Sequence, residues 1–245
     1  MDDSRSTGRS PFLRSLTAEA RKALDRIGCT RRFTSGQVLI EEGDGRQEVW
    51  LLLQGSAKVT RRIDDHKTSL VDIKVSGELL GEIAAMSCGP RTATVTACCD
   101  GVARVIAWPD LLLFLREHPE AMIALHQVLG ERLRRSDRRR LEFGAYSVLI
   151  RLARVLVELA DSYGTRIPDR GSPPRKTYRI EVNLTQPEFA SLAGAKVRAV
   201  QEAFAELSRL ELITRGERRT HVCDMDRLRV TALLDAAPSP VKHSA

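Results

Sequence analysis

Apolar positions along this 245-residue chain change period twice. Between Arg31 and Ala107 they come in short runs: Val38-Leu39-Ile40, Val49–Leu53, Ala57-Lys58-Val59, Leu70–Val75 and Val102–Ala107. Glycines at Gly36, Gly43, Gly45, Gly55, Gly77 and Gly101 separate these runs. Short strands punctuated in this way predict a β-sandwich or barrel-like roll. Ahead of it, residues 1–30 read as a polar tail and a short amphipathic helix around Thr17–Ile27. Thr17 is its candidate cap, and Leu24 and Ile27 turn inward.

From Pro109 the period becomes helical. After His118-Pro119, the residues Met122, Leu125, Leu129, Leu133 and Ser136 recur at spacings of three and four. That is a seam of coiled-coil type, which ordinary core packing also produces. The run Arg134-Arg135-Ser136-Asp137-Arg138-Arg139-Arg140 reads as a solvated helix face. A second helix, Val148–Asp161, gathers Leu149, Leu152, Ala153, Leu156 and Leu159 on one side. Gly164 to Lys176 carries Pro168, Gly171, Pro173 and Pro174 among charges and reads as an exposed loop, followed by a strand over Tyr178–Val182.

The next segment carries its own start and stop signals. Thr185 suits an N-cap, Glu188 lies three residues on for a capping box, and Pro187 falls in the first turn. Gly194 suits the left-handed C-cap. A further helix from Lys196 to Arg209 turns Val200, Phe204 and Leu207 inward and presents Lys196, Val197, Arg198, Gln201 and Glu202 on its early outer face. Two short helices joined through glycine, the second polar at its N-terminal end, fit a helix-turn-helix reader of the DNA major groove. Leu212–Arg215 and Thr220–Cys223, joined by Gly216-Glu217-Arg218-Arg219, predict a β-hairpin wing with basic residues for phosphates.

Charge agrees with that reading. The formal net charge is +7, which favours an anionic partner, nucleic acid before a membrane surface. No apolar run of about 18 residues is present, so no membrane span is expected. The polar start, Met1-Asp2-Asp3-Ser4-Arg5, lacks a secretory core, and a cytoplasmic location is expected. Cys29, Cys88, Cys98, Cys99 and Cys223 form no C-x-x-C pair and read as unpaired thiols, with no metal site. No nucleophile–base constellation stands out, so the chain is not expected to be an enzyme and has no candidate catalytic residues.

One stretch suggests a small ligand. Gly81-Glu82-Ile83-Ala84 ends an apolar run, and Arg91-Thr92-Ala93 opens the next strand. Glycine lets backbone approach a phosphate, a carboxylate accepts from ribose hydroxyls, and an arginine fork matches phosphate oxygens. This combination suits a sugar-phosphate pocket of the kind that takes a cyclic nucleotide.

In order, these features resemble the cyclic AMP receptor protein and fumarate–nitrate regulator (CRP/FNR) family of bacterial transcription factors. The resemblance runs from about Phe33 to Leu228. It is carried by Phe33-x-x-Gly36-x-x-Leu39-x-x-Glu42-Gly43-Asp44, Gln54-Gly55-Ser56-Ala57-Lys58-Val59, Gly77, Gly81-Glu82 and Arg91-Thr92-Ala93. Leu184-Thr185-Gln186, Gly194-Ala195, Val200, Leu207 and Ile213 carry it through the DNA-binding module. The resemblance implies that Glu82 holds the ribose 2′-hydroxyl and Arg91 the cyclic phosphate. It places Thr92 and the amides near Ile83 as further donors, and Ser136 against the purine, often across a dimer.

Three departures bear on specificity. Thr92 resembles the residue that bonds guanine in some cyclic-nucleotide domains, which leaves cyclic GMP open beside cyclic AMP. Val197, Arg198 and Glu202 stand where the receptor protein has arginine, glutamate and arginine, so a different half-site is expected: Arg198 on guanine, Glu202 on cytosine N4, Val197 on a thymine methyl. The cysteine cluster of the oxygen-sensing branch is missing, with Cys29 alone. Haem ligation by His66 or His126 is outweighed by a surface reading.

The expectation is therefore an α+β protein in four parts. These are an N-terminal tail and short helix (residues 1–30), a jelly-roll-like cyclic-nucleotide β-roll (31–117), a long dimerisation helix (118–143) and a winged helix-turn-helix (144–245). Its expected partners are double-stranded DNA, a second copy of itself, cyclic AMP or cyclic GMP as effector without another cofactor, and RNA polymerase. Rival readings keep DNA binding with a vestigial pocket or a redox or gas effector, or make the chain a nucleotide-gated signalling subunit. A hinge is expected near Phe143-Gly144-Ala145.

Overall fold

The computed structural model describes residues 11–64, 67–168, 175–180, 182–216 and 219–234. The chain divides into two units, Arg9–Arg138 and Arg139–Ala245. Among the described residues of the first, eight antiparallel strands make two four-stranded sheets. They are β1 (Cys29–Phe33), β2 (Val38–Ile40), β3 (Glu48–Gln54), β4 (Ser56–Asp64), β5 (Lys67–Val75), β6 (Leu79–Leu80), β7 (Thr94–Ala97) and β8 (Gly101–Ala107). One sheet runs β1-β8-β3-β6 and the other β2-β7-β4-β5.

Strand β3 explains the architecture. Its residues Val49 to Leu52 are all buried, so both faces are covered. Trp50 and Leu52 point into the roll, with Phe33, Leu39, Ile40, Leu80, Val95 and Val105. Val49 and Leu51 point the other way, onto a helical layer. That layer contains α1 (Ala18–Leu24), α2 (Glu82–Ser87), α3 (Trp108–Glu117) and the first part of α4 (Pro119–Ala145). Phe12, Leu16, Ala20 and Leu24 are buried in the same core, so the segment from Phe12 is part of the unit and not a tail laid beside it. Thr17 caps α1 by accepting from the Ala20 amide at 3.2 Å.

The seam on α4 divides in two. Its buried stripe is Ala121, Ala124, Leu125 and Val128, against which Met122 and Leu129 also pack, so this half is core of its own unit. Leu133, by contrast, is exposed, as is Ile123.

The second unit opens with the last turns of α4, then α5 (Val148–Tyr163), β9 (Gly164–Ile167), β10 (Thr177–Ile180), α6 (Gln186–Ala193), α7 (Val197–Arg209), β11 (Ile213–Arg215), β12 (Thr220–Val222) and α8 (Met225–Thr231). Its antiparallel sheet runs β11-β12-β10-β9. The stretch expected as loop from Gly164 begins instead as β9, whose residues Gly164 to Ile167 pair with β10. The segment expected as a hinge is helical, because α4 continues through Gly144 to Ala145. Arg139 and Glu142 in this stretch pair with Glu158 (2.9 Å) and Arg154 (2.6 Å) of α5.

Candidate functional site

The candidate pocket is built at the junction of β6 and α2. Gly81 is the N-cap of α2 with φ of +79°, a conformation that favours glycine. It is required a second time by Arg91, because a Cβ at Gly81 would lie 2.4 Å from Arg91 Nη1. Arg91 is buried. Its Nη1 donates to the Gly81 carbonyl (2.9 Å) and its Nη2 to the Glu48 carbonyl (2.5 Å). Its backbone is fixed too, with Arg91 N donating to Asp44 O and Gly43 N to Arg91 O, both at 2.8 Å. Burial pulls the Arg91 guanidinium below its usual value, and Glu48 and Asp44 oppose that pull. The two carbonyls take two of its five N–H donors and fix the plane of the cationic fork.

Glu82, the first residue of α2, is also buried. It pairs with a residue that the sequence did not single out: Arg132 of α4, whose Nη1 donates to Glu82 Oε1. Arg132 Nη2 faces the Leu79 carbonyl at 3.3 Å and Glu78 Oε1 at 3.7 Å. Burial works against the Arg132 charge, but Glu82, Glu78 and Asp72 outweigh it and raise its pKa. Behind it, Lys74 Nζ lies 2.6 Å from Asp72 and 3.6 Å from Glu78. A line of alternating charges, Asp72, Lys74, Glu78, Arg132 and Glu82, thus ends at the pocket. One signal for it is in the sequence: Arg132 follows Val128 by four, so a charge continues the inward stripe of α4.

The structure brings Gly81, Glu82 and Arg91 together. Ile83 and Thr92 adjoin them along the chain, and both side chains are exposed. Ser136 is exposed on α4, one turn beyond Arg132 and on the same side of the helix. His126 sits on α4 with Nδ1 2.9 Å from the Met122 carbonyl, and His66 lies outside the described residues. Among the described residues, no group of His, Cys, Asp or Glu is placed to hold a metal ion. Nor is any helix long and apolar enough to cross a membrane.

The second candidate surface lies on α6 and α7. Thr185 caps α6 in a complete capping box with Glu188. Gly194 closes it at φ of +58°, and a Cβ there would lie 2.2 Å from the Phe143 ring. Arg151 Nη1 donates to the Ala193 and Gly194 carbonyls, each at 2.8 Å, and fixes the turn from below. Val200, Ala203, Phe204 and Leu207 anchor α7, with Phe204 edge-on to Phe189 at 4.9 Å. The opposite face leaves Lys196, Val197, Arg198, Gln201 and Glu202 exposed. Arg198 Nε lies 3.3 Å from Glu202 Oε1, and Gln201 donates to Gln186 at 2.5 Å. In the hairpin, Arg215 stacks over the Phe204 ring at 4.4 Å, while Glu217 and Arg218 lie outside the described residues.

Comparison with known proteins agrees with both surfaces. Residues 30–118 match the cyclic nucleotide-binding domain family, and residues 150–231 match the Crp-like helix-turn-helix domain family. A CRP-like cAMP-activated global transcriptional regulator of Mycobacterium tuberculosis is 28% identical over 196 residues, 80% of this chain and 84% of the relative. The cAMP-activated global transcriptional regulator Vfr of Pseudomonas aeruginosa is 22% identical over 187 residues, 75% of this chain and 84% of the relative. In fold, a mutant of CooA from Carboxydothermus hydrogenoformans matches with a TM-score of 0.70 at 18% identity, over 91% of this chain and 96% of that one. With a cyclic nucleotide-binding domain ahead of a Crp-like helix-turn-helix domain, the chain is a CRP-like transcription regulator.

Proposed function

We propose that this regulator acts in the cytoplasm as a homodimer whose hold on a pseudo-palindromic DNA site is controlled by a cyclic nucleotide, cyclic AMP first and cyclic GMP second. The observation that carries the reading is Arg91: a buried guanidinium fixed beneath Gly81, one residue from the buried carboxylate of Glu82. In this reading Arg91 takes the cyclic phosphate and Glu82 the ribose hydroxyl. The amides near Ile83 and the Thr92 hydroxyl add donors, and Ser136 meets the purine. The names of the two sequence relatives support cyclic AMP.

The exposed Ile123 and Leu133 of α4 suit a partner helix, and the second copy supplies it. On DNA, Lys196 and the wing meet phosphates, while Val197, Arg198, Gln201 and Glu202 face the bases. RNA polymerase is the partner that a bound activator would engage. Calorimetry with cyclic AMP and cyclic GMP at near-millimolar concentration tests the pocket. Binding by the wild type and none by Arg91→Ala is expected, and no heat from either nucleotide refutes it.

One observation favours a second reading, a DNA-binding regulator whose pocket serves another effector or none. Glu82 and Arg91 already have internal partners in Arg132 and two backbone carbonyls. Nucleotide-independent DNA binding together with a silent calorimetric titration would select it.

A further inference from the structure

Glu78 lies outside every ligand contact proposed above, yet it is as buried as the pocket residues themselves. Its Oε2 accepts from the Val75 amide at 2.9 Å, which fixes the carboxylate plane. Its Oε1 then faces two cations, Arg132 Nη2 at 3.7 Å and Lys74 Nζ at 3.6 Å. Lys74 is held independently by Asp72 at 2.6 Å, so it does not depend on Glu78 to stay in place. The consequence falls on Arg132. A guanidinium fork beside a single carboxylate prefers to engage both oxygens with two parallel N–H bonds. Here it does not: Nη1 goes to Glu82 Oε1, and Nη2 turns away to Leu79 O and Glu78.

We infer that Glu78 is a positioning residue that holds the second arm of Arg132 and so preserves Glu82 Oε2 as an acceptor for the ribose 2′-hydroxyl. The inference rests on the cyclic-nucleotide reading for its ligand, and its chemistry is specific to that hydroxyl. Without the Glu78 charge, Arg132 closes on both oxygens of Glu82. A ribose hydroxyl then has no carboxylate oxygen to itself. The phosphate, held by Arg91, is unaffected.

Glu78→Gln separates this role from simple packing, because it keeps the side chain's shape. A glutamine there cannot satisfy its surroundings in either orientation. With its oxygen on the Val75 amide, its NH2 meets the two cations donor to donor; reversed, its NH2 meets the amide. Glu78→Asp, which restores the charge, serves as the rescue, and thermal unfolding verifies that each variant is folded.

The measurement is calorimetric binding of cyclic AMP and of 2′-deoxy cyclic AMP to wild type, Glu78→Gln and Glu78→Asp. Glu78→Gln is expected to weaken cyclic AMP by about tenfold, with the deoxy analogue changed by less than about twofold, since only the former loses a hydrogen bond to a charged group. Glu78→Asp should recover most of the loss. An equal loss for both ligands, or none for either, overturns the inference. A crystal structure of nucleotide-free Glu78→Gln decides it independently: both Nη atoms on the Glu82 carboxylate support it, and an unchanged one-armed contact overturns it. If the wild type binds neither nucleotide, the pocket reading falls, and the crystal structure alone judges the positioning role.

Discussion

At the level of single residues, the pocket depends on geometry that few substitutions preserve. Gly81→Ala adds a Cβ 2.4 Å from Arg91 Nη1 at a φ of +79°. It should cost about 1–2 kcal/mol in stability from the left-handed backbone alone, read by denaturant unfolding, and should displace Arg91 and its phosphate contact as well. Arg91→Lys keeps the charge but gives up the planar fork and the paired carbonyl contacts, so nucleotide affinity should drop by roughly tenfold or more in calorimetry. Residue types were legible here. Glycine, carboxylate and arginine at positions 81, 82 and 91 stood out by type and order, and the structure brings the three together. The partner of Glu82 was signalled only by a charge four positions after Val128 on the inward stripe of α4. Arg132 stands fifty positions further on, in a helix whose inward face is defined only by the sheet it covers. The sequence showed a run of arginines just beyond it, and the pair with Glu82 is what distinguishes Arg132 from them.

At the level of elements, local signals succeeded wherever a single residue closes a motif. Thr185 and Glu188 form the reciprocal cap their spacing predicted, and Gly194 adopts the left-handed C-cap. Thr185→Ala should therefore lower stability by about 1 kcal/mol, measured by thermal or denaturant unfolding. Gly194→Ala should cost more than that, because strain at φ of +58° adds to a clash with Phe143. Short elements escaped for a physical reason. β6 has two residues and α2 six, too few for either period to register. β9 lies between Gly164 and Pro168, punctuation that reads as loop, and is defined by its register with β10. The α4 seam left two readings open. A stripe at spacings of three and four records that something covers the helix, but not whether the cover comes from its own unit. Ala121, Leu125 and Val128 are covered by the β-roll unit itself. On α7, Arg198 and Glu202 are exposed and, among the described residues, pair with each other, so both can turn to bases without breaking buried contacts. Arg198→Ala should reduce discrimination at one base pair by about 1–3 kcal/mol, visible as a relaxed position in selected DNA sites.

At the level of the whole molecule, the order of parts was the strongest signal in the chain. A roll of short strands, a long helix and a capped pair of helices with a hairpin are each common, and their succession is not. What the order does not supply is the coupling. A nucleotide shifts DNA affinity only if it binds two arrangements of the protein with different affinities, and by no more than that difference. In the proposed function the input lies at Gly81, Glu82 and Arg91, and the output on the exposed face of α7. The measurement that tests this most directly is equilibrium binding of selected DNA at fixed salt, with cyclic AMP, cyclic GMP or neither, for wild type and Arg91→Ala. The account predicts that one nucleotide tightens binding of the wild type to a symmetric site by at least about fivefold, the low end of ordinary coupling energies, and leaves Arg91→Ala unchanged. Equal DNA affinity with and without either nucleotide would contradict it.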